Sequence, residues 1–398
     1  MAGVMEGFPP SPDNLVTLAN WRTAPYCAWA FHHVREILPT AEIAHDPSGV
    51  RALARGEGTL ERVSVVTADG RRLSQAQVLQ ETDTDGLVVL HKGRVIAEHY
   101  ANGMTAPAPH ILMSVSKSML GLLAGVPEVR KVLDPERPVT DLVPEVGNGP
   151  YAGISIRHLL DMRAGLHYDE NYLTTSGPII AYRKAMGWNP MQPGDPHTDT
   201  RGFLATLDVP TDAHGGRMNY VSPGTDLLGW AIERAMSRRY ADVFSDLIWK
   251  PIGAAWPASI TVDRGGTPRT AGGMNVATAD LARVGLMMTE GGAVGGRQVV
   301  PEAWIHDLET GGDRAAWDSG TLAEYYPGAP MAYRAKWYVD RGPLGPLLFG
   351  MGIHGQNLFV DRRLGLVIAK VSSQAVPLDK ARMALTMRWV DAVRAHVA

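Results

Sequence analysis

Strand-like segments occur near both ends of the chain, and a helical stretch separates them. Two of them are hairpins, with turns at Asp69-Gly70 and Lys92-Gly93 between alternating runs. The strands of such a chain can hydrogen-bond to one another in a single sheet only if the two ends of the chain come together. The strand patterns cover 62–73, 86–91, 94–100, 346–350, 357–361 and 365–373.

The segments with helical apolar spacing are mostly in the middle of the chain. The pattern predicts an α/β fold of the α+β type: a mainly antiparallel sheet covered by terminal helices, an inserted helical lobe, and a ligand cleft between them. We expect an extended N-terminal arm over 1–26, a sheet domain over 27–110 and 265–398, and a helical lobe over 111–264. Helices are predicted at 27–38, 114–124, 155–162, 224–237, 240–249, 278–288 and 378–397.

Composition narrows the function classes. The 398 residues are 45% hydrophobic, which is enough for a substantial core, and the net charge of -3 without long runs of one sign argues against a nucleic-acid partner. Apolar runs fall short of the ~20 residues that span a bilayer, so no membrane partner is expected. The first residues lack a secretory pattern, so we expect a cytoplasmic protein. Cys27 is the single cysteine and cannot form an intramolecular disulfide.

The segment ILMSVSKSMLGLLAG places one lysine in an apolar helix. Ser114 and Lys117 are three residues apart, so a helix puts them on the same face. A serine needs a base to attack a carbonyl, and burial can lower the pKa of a lysine enough for it to accept the proton. The alternative is an N-cap serine followed by a lysine that extends to solvent.

The segment RMNYVSPGTDLLGW supplies a second candidate. Tyr220 stands two residues before Ser222, just ahead of the turn that begins a helix. A tyrosine at the cleft could relay a proton between the nucleophile, the lysine and the leaving group. The alternative is a packed aromatic whose hydroxyl is satisfied by neighbours, which is the commoner role of tyrosine.

The segment FGMGIHGQNLF contains a glycine pattern of the G-x-G-x-x-G type. A dinucleotide site requires a helix after the glycines, whereas here a strand follows. Glycines on a strand beside a cleft instead let a substrate lie against the backbone. A bulged edge strand without a ligand is the alternative.

The order and spacing of these three elements resemble the serine β-lactamase and penicillin-binding-protein superfamily. Within it, MSVSKSM, NYVSPGTDLLGW, DLARVGLMM and GIHGQNLFVD are most similar to the 6-aminohexanoate-dimer (nylon oligomer) hydrolases and related carboxylesterases. The resemblance implies that Ser114 is the nucleophile, Lys117 the base and Tyr220 the proton donor to the leaving group. It also implies an oxyanion hole formed by the N–H groups of Ser114 and Ile353.

The same resemblance assigns a substrate-binding set. Gly350 stands where β-lactamases carry a lysine, so the sequence has no cation there to hold a β-lactam carboxylate. Tyr172, in YDENY, matches a tyrosine that binds the scissile amide nitrogen, and Trp188 matches a pocket wall. The expected substrate-binding residues are Tyr172, Trp188, Ser222, Gly352 and His354. For His354, which is included because it stands beside the proposed oxyanion strand, a satisfied structural histidine is the alternative.

The sequence therefore predicts a serine hydrolase that forms an acyl-enzyme on carboxylic esters and linear amides, as a monomer or homodimer. No cofactor or metal is expected, because the chain lacks H-E-x-x-H and clustered Cys/His ligands. A G-x-S-x-G elbow is also absent, which disfavours an α/β-hydrolase. The alternatives are a D-amino-acid peptidase with weak β-lactamase activity and a non-catalytic penicillin-binding-like protein.

Two basic residues bear on the substrate. Between Tyr172 and Trp188 the charged residues are Arg183 and Lys184, with no acid. Like charge disfavours a substrate that ends in an ammonium group. We therefore expect efficient hydrolysis of short esters and weak cleavage of the 6-aminohexanoate linear dimer. If both basic residues point to solvent, this reasoning fails.

Overall fold

The computed structural model describes residues 3–398, apart from the side chains of residues 127 and 128. Strands occur in two groups, one before residue 112 and one after residue 257. In chain order they are β1 Thr40–Ile43, β2 Ser64–Val66, β3 Arg72–Ser74, β4 Thr84–His91, β5 Arg94–Tyr100, β6 Pro109–Ile111, β7 Ala258–Thr261, β8 Met274–Ala277, β9 Ala293–Val294, β10 Arg297–Gln298, β11 Met331–Arg334, β12 Trp337–Asp340, β13 Leu347–Gly352, β14 Gln356–Asp361 and β15 Leu366–Ser372.

The α-helices fill most of the interval between these groups and also close the chain. In order they are α1 Cys27–Ala30, α2 Gln75–Glu81, α3 Val115–Leu123, α4 Pro127–Arg130, α5 Ile156–Leu160, α6 Pro178–Ala185, α7 Thr200–Ala205, α8 Pro223–Met236, α9 Tyr240–Phe244, α10 Thr278–Thr289, α11 Glu302–Thr310, α12 Arg314–Asp318 and α13 Lys380–Val397. None of the helices in the described part of the chain is both long and apolar enough to cross a membrane.

The main sheet joins the two ends of the chain, which confirms the expected fold class. Among the described residues it has seven strands in the order β11-β12-β13-β14-β15-β4-β5, and every neighbouring pair is antiparallel. The two ends meet where β15 pairs with β4, with Ile368 opposite Val89. Both predicted hairpins form, β2 with β3 and β4 with β5.

Different helices cover the two faces of this sheet. Side chains alternate along each strand, so a single strand contributes residues to both faces. Val88 and Leu90 of β4 belong to one hydrophobic cluster, whereas Leu87 and Val89 belong to the other. Helix α10 packs on β4, β14 and β15. Helix α13 adds Trp389, which is fully buried, to the cluster of Leu87 and Val89. The C-terminal helix therefore covers the sheet, as predicted.

The predicted helix over 27–38 is wrong in length. Helix α1 ends at Ala30, and only a 3-10 turn, Val34–Glu36, follows. The reason is tertiary: the carbonyl of Phe31 accepts a hydrogen bond from the N–H of Ile111. The pairing of this segment with β6 replaces the next turn of helix.

The N-terminal segment is not extended. Its described part, residues 3–26, forms turns, and Trp21 is fully buried. The indole Nε1 of Trp21 donates a hydrogen bond to the carbonyl of Trp188 over 3.2 Å. This segment therefore packs on the rest of the protein at Trp188, one of the predicted substrate-binding residues.

The sequence did not predict a second antiparallel sheet, which in the described residues has the order β1-β7-β8-β6. Its strands are only three or four residues long, too short for a clear alternating pattern. The predicted domain boundary at 264/265 falls between β7 and β8, which pair with each other. The division into domains stays a prediction.

The hairpin of β11 and β12 was also missed. Its turn, Ala335-Lys336, has positive φ at both residues, 43° and 70°. Turns of this kind usually carry Asn-Gly or Asp-Gly, so no local signal marks this one. The turn is fixed from outside: the N–H of Ala335 donates to Asp161 and that of Lys336 to the carbonyl of Leu160.

This turn leads to a stability prediction. A β carbon added to Gly121 on α3 would lie 2.0 Å from the carbonyl oxygen of Ala335, whereas one added to the exposed Gly216 would come no closer than 3.6 Å to its neighbours. Gly121→Ala should therefore lower the free energy of unfolding by about 1–3 kcal/mol or more. Gly216→Ala, the matched control, should leave it within about 0.5 kcal/mol. Urea unfolding of both variants measures this, and equal losses would contradict the close packing of α3 on the turn.

Candidate active site

Ser114 and Lys117 meet at the start of helix α3. The Nζ of Lys117 lies 2.8 Å from the Oγ of Ser114 and 2.6 Å from the carbonyl oxygen of Ala271. Lys117 is 1% exposed, so it does not extend to solvent. Met113, just before the serine, has a φ of 44°, an uncommon conformation for a side chain of this size. The pair predicted from the sequence is therefore assembled in the structure.

Burial sets the charge of Lys117. Desolvation lowers its pKa to about 7, Arg269 acts in the same direction, and Glu170 and Asp226 oppose the shift. An amine with this pKa is neutral in a large fraction of molecules near pH 7, and a neutral amine can accept the proton of Ser114.

Tyr220 lies on the other side of the lysine. The Nζ of Lys117 is 5.0 Å from the centre of the Tyr220 ring, and the N–H of Tyr220 donates to the hydroxyl of Thr321. Burial raises the pKa of Tyr220, and the hydroxyls of Ser114 and Tyr338 only partly offset this. The phenol therefore keeps its proton at neutral pH, which suits a donor better than a base.

Strand β13 passes directly against the start of α3. A β carbon added to Gly352 would lie 2.6 Å from the carbonyl oxygen of Leu112 and 2.9 Å from the backbone nitrogen of Ser114. Only a glycine allows this approach, which places Ile353 beside Ser114 along the walls of two cavities. Their N–H groups as the oxyanion hole stay a prediction.

Gly350 is equally constrained. A β carbon there would lie 2.7 Å from the Oγ of Ser118 on α3. Ser118 is fixed in turn, because its hydroxyl donates to the carbonyl of Lys336. A lysine at position 350, as in β-lactamases, would therefore displace this packing.

Glu170 belongs to the site although the sequence reasoning missed it. Its carboxylate accepts hydrogen bonds from the N–H of Ser222 over 3.0 Å and the hydroxyl of Tyr172 over 3.3 Å. The segment YDENY held the signal, but only its last tyrosine was used. The sequence reasoning considered only the charged residues between Tyr172 and Trp188, and Glu170 lies just before that stretch.

A buried ion pair lies next to Lys117 and is linked to it through Ala271. Asp226, in the first turn of α8, is fully buried and pairs with Arg269. It also accepts hydrogen bonds from the hydroxyl of Tyr182 and from the N–H of Ala271, the residue whose carbonyl oxygen contacts Lys117. The sequence reasoning also missed Asp226 and Arg269, since no local pattern links them.

Two cavities have Ser114 in their walls. The larger, of about 440 Å³, is lined by Ser114, Tyr220 and Tyr338, and the smaller, of about 40 Å³, by Ser114, Ser222 and Trp188. Residues common to both are Ser114, Glu170, Tyr172 and Ile353. Another hollow of about 210 Å³ around Arg334 does not include the serine.

His354 and Gly352 are not among the residues that line these two cavities. The Nδ1 of His354 lies 2.6 Å from the carbonyl oxygen of Gln374, and its ring packs on Phe31. Burial lowers its pKa to about 4, so it is neutral. This environment is that of a satisfied structural histidine, and a contact between His354 and the substrate stays a prediction. Gly352 acts through its lack of a side chain.

Comparison with known proteins identifies the family to which this chain belongs. The family described as beta-lactamase matches residues 72–390. A 6-aminohexanoate-dimer hydrolase from Paenarthrobacter ureafaciens is 36% identical over 372 residues, which cover 93% of this chain and 91% of that protein. The chain belongs to the β-lactamase family. It is thus a hydrolase of that family, as the resemblance implied.

Solved structures show the same fold. A provisionally named 6-aminohexanoate-dimer hydrolase from Bacillus anthracis has a TM-score of 0.86 at 23% identity, covering 97% of this chain and 98% of that one. A family VIII carboxylesterase has a TM-score of 0.58 at 15% identity, covering 81% and 95%. At these identities the likeness establishes the β-lactamase-like fold.

The depressed pKa of Lys117 predicts the pH dependence of the reaction. If Lys117 is the base, as the resemblance implies, it must be neutral to accept a proton, so kcat/KM for p-nitrophenyl butyrate should rise with pH and level off above about pH 7. Lys117→Arg should lower kcat/KM by about 10²-fold or more, because a guanidinium does not release its proton. Stopped assays from pH 5 to 9 measure both, with circular dichroism as the check on folding. Activity of the Lys117→Arg variant within about threefold of the wild type would remove the lysine from the reaction.

Proposed function

We propose that the protein is a serine hydrolase that forms an acyl-enzyme on Ser114 with carboxylic esters and linear amides. The observation that carries this proposal is the contact between the Ser114 hydroxyl and a buried lysine of lowered pKa. A serine with a sequestered neutral amine beside it is an activated nucleophile. The alternative of a non-catalytic binding protein leaves this costly burial of Lys117 without a purpose.

The groups present account for each proton in the first step. Neutral Lys117 accepts the proton of the Ser114 hydroxyl as its oxygen attacks the carbonyl carbon, and the N–H groups of Ser114 and Ile353 stabilise the oxyanion. As the bond to the leaving group breaks, the Tyr220 phenol protonates it, and the ammonium of Lys117 returns a proton to Tyr220. Water then attacks the acyl-enzyme by the reverse sequence.

We infer the substrate class from the similar proteins and from the packing at Gly350. The proteins it resembles include a 6-aminohexanoate-dimer hydrolase and a family VIII carboxylesterase, which supports linear esters and amides. A β-lactam or D-amino-acid peptide is less supported, because Gly350 has neither a cation nor room for one. The cytoplasmic location and the homodimer stay predictions.

Covalent labelling tests the nucleophile. A fluorophosphonate should add mass to Ser114, and Ser114→Ala should abolish both the label and esterase activity. Ser118→Ala is the matched control, because Ser118 is buried one turn further along the same helix and donates to the Lys336 carbonyl. Tandem mass spectrometry locates the adduct. A label at another serine in an active preparation would contradict the proposal.

The role of Tyr220 can be separated from that of the lysine. Tyr220→Phe should reduce kcat for p-nitrobutyranilide about 10²-fold or more, because an amide nitrogen must be protonated to leave. The loss with p-nitrophenyl butyrate should be at least tenfold smaller, because p-nitrophenolate is a good leaving group. The two substrates share an acyl group, so the ester is the internal control. Equal losses would rule out this role.

A further inference from the structure

The smaller cavity next to Ser114 carries an excess of positive charge. Its lining includes three arginines and one acid: Arg22, Arg183, Arg269 and Glu170. The guanidiniums of Arg22 and Arg269 both lie near the Trp188 ring, 5.7 Å and 5.4 Å from its centre. The arginines come from the N-terminal segment, from α6 and from the loop before β8, so the cluster exists only in the folded chain.

The charges are not balanced inside the protein. Arg269 forms an ion pair with Asp226, but within residues 3–398 neither Arg22 nor Arg183 has a carboxylate oxygen within 4.0 Å. Their nearest polar partners are neutral: Arg22 donates to the side chain of Asn189, and Arg183 to the carbonyl of Tyr172. Glu170 is the one carboxylate in the described lining of this cavity, and its charge acts on Arg183.

A second observation is that two of these arginines have buried donors without an acceptor in the described part of the chain. The Nε atoms of Arg22 and Arg269 are buried and have no hydrogen-bond partner among the described residues. Burial, followed by the charges of Arg183 and Arg269, lowers the pKa of Arg22 to about 9, so it still carries its proton at neutral pH. Buried donors without partners are rare and are satisfied by a ligand or by water.

The position of Tyr220 decides which part of the substrate reaches this cavity. Tyr220, the proposed proton donor, lines the larger cavity and not the smaller one. The leaving group must be next to its donor, so it occupies the larger cavity. The acyl chain then extends the other way from the Ser114 carbonyl adduct, towards Trp188 and the arginines.

We propose that the smaller cavity is an acyl-chain subsite that binds a carboxylate, so that the preferred substrates are monoesters or monoamides of short dicarboxylic acids. This inference rests on the proposed acyl-enzyme at Ser114. A cavity of about 40 Å³ accommodates about three or four water-sized groups, which favours short acyl chains. An acyl chain that ends in an ammonium group is disfavoured at the same place.

Lys184 has no part in this subsite. The sequence analysis grouped it with Arg183, but its Nζ pairs with Asp195 at 2.6 Å, and it does not line the cavity. The two residues are neighbours on α6, carry the same charge and differ in whether they face the pocket. Lys184→Met is therefore a matched control for Arg183→Met and Arg183→Glu.

Three methyl esters of similar length test the proposal by pH-stat titration at pH 7: monomethyl glutarate, methyl pentanoate and methyl 4-aminobutanoate. The wild type should show kcat/KM at least about tenfold higher for the glutarate ester than for the pentanoate ester, with the ammonium ester lowest. Arg183→Met should reduce the glutarate-to-pentanoate ratio at least about tenfold, and Arg183→Glu should reverse the order of the charged esters. Lys184→Met should leave the ratio unchanged.

A binding measurement separates this proposal from the catalytic one. Calorimetry of glutarate with the Ser114→Ala variant should show binding that Arg183→Glu removes and that pentanoate does not reproduce. Glutarate binding without turnover of any ester would overturn the hydrolase and keep the subsite. Turnover of all three esters at equal kcat/KM, or a ratio unaffected by Arg183→Glu, would overturn the subsite and keep the hydrolase.

Discussion

The close approach of strand β13 to the first turn of helix α3 is the constraint on which the site depends. Gly352 lies against the backbone of Ser114, and Gly350 lies against Ser118, with no space for a β carbon at either position. This contact brings the backbone of Ile353 beside the serine and lets both residues bound the two cavities. A larger residue on the strand would move the strand and the serine apart.

The polar network next to Ser114 holds the side chain of Lys117 in a buried position. Asp226 orients Ala271 through its N–H, and the carbonyl of Ala271 accepts from Lys117. Arg269 neutralises the buried Asp226 and at the same time adds positive charge near the lysine, which lowers its pKa. The charge of Glu170 opposes this shift and raises the pKa of Lys117. Arg269 and Glu170, which shift the pKa of Lys117, also line the smaller cavity and contribute to its charge.

The hairpins at Asp69-Gly70 and Lys92-Gly93 could be predicted from the sequence, because each carries a local turn signal between alternating strands. Only the second, β4 with β5, belongs to the main sheet, whereas β2 and β3 form a two-stranded sheet of their own. The hairpin at Ala335-Lys336 could not be predicted, because its turn is stabilised by distant groups and not by its own residues. The helix at Cys27 was overextended for a similar reason: the carbonyl of Phe31 bonds to β6. Each error lies where a tertiary hydrogen bond replaces a local preference.

The sequence by itself determined that Ser114 and Lys117 share one face, since two residues three apart on a helix lie on the same side of it. It also determined that a glycine-bearing strand follows near the C-terminus. Only the tertiary structure decided the surroundings of that pair: Glu170 at the serine, Arg22 against Trp188, and Lys184 turned away from Arg183. The physical reason is that the charge of a cavity is a sum over groups from distant segments. Their distances are set by packing, which no local pattern records.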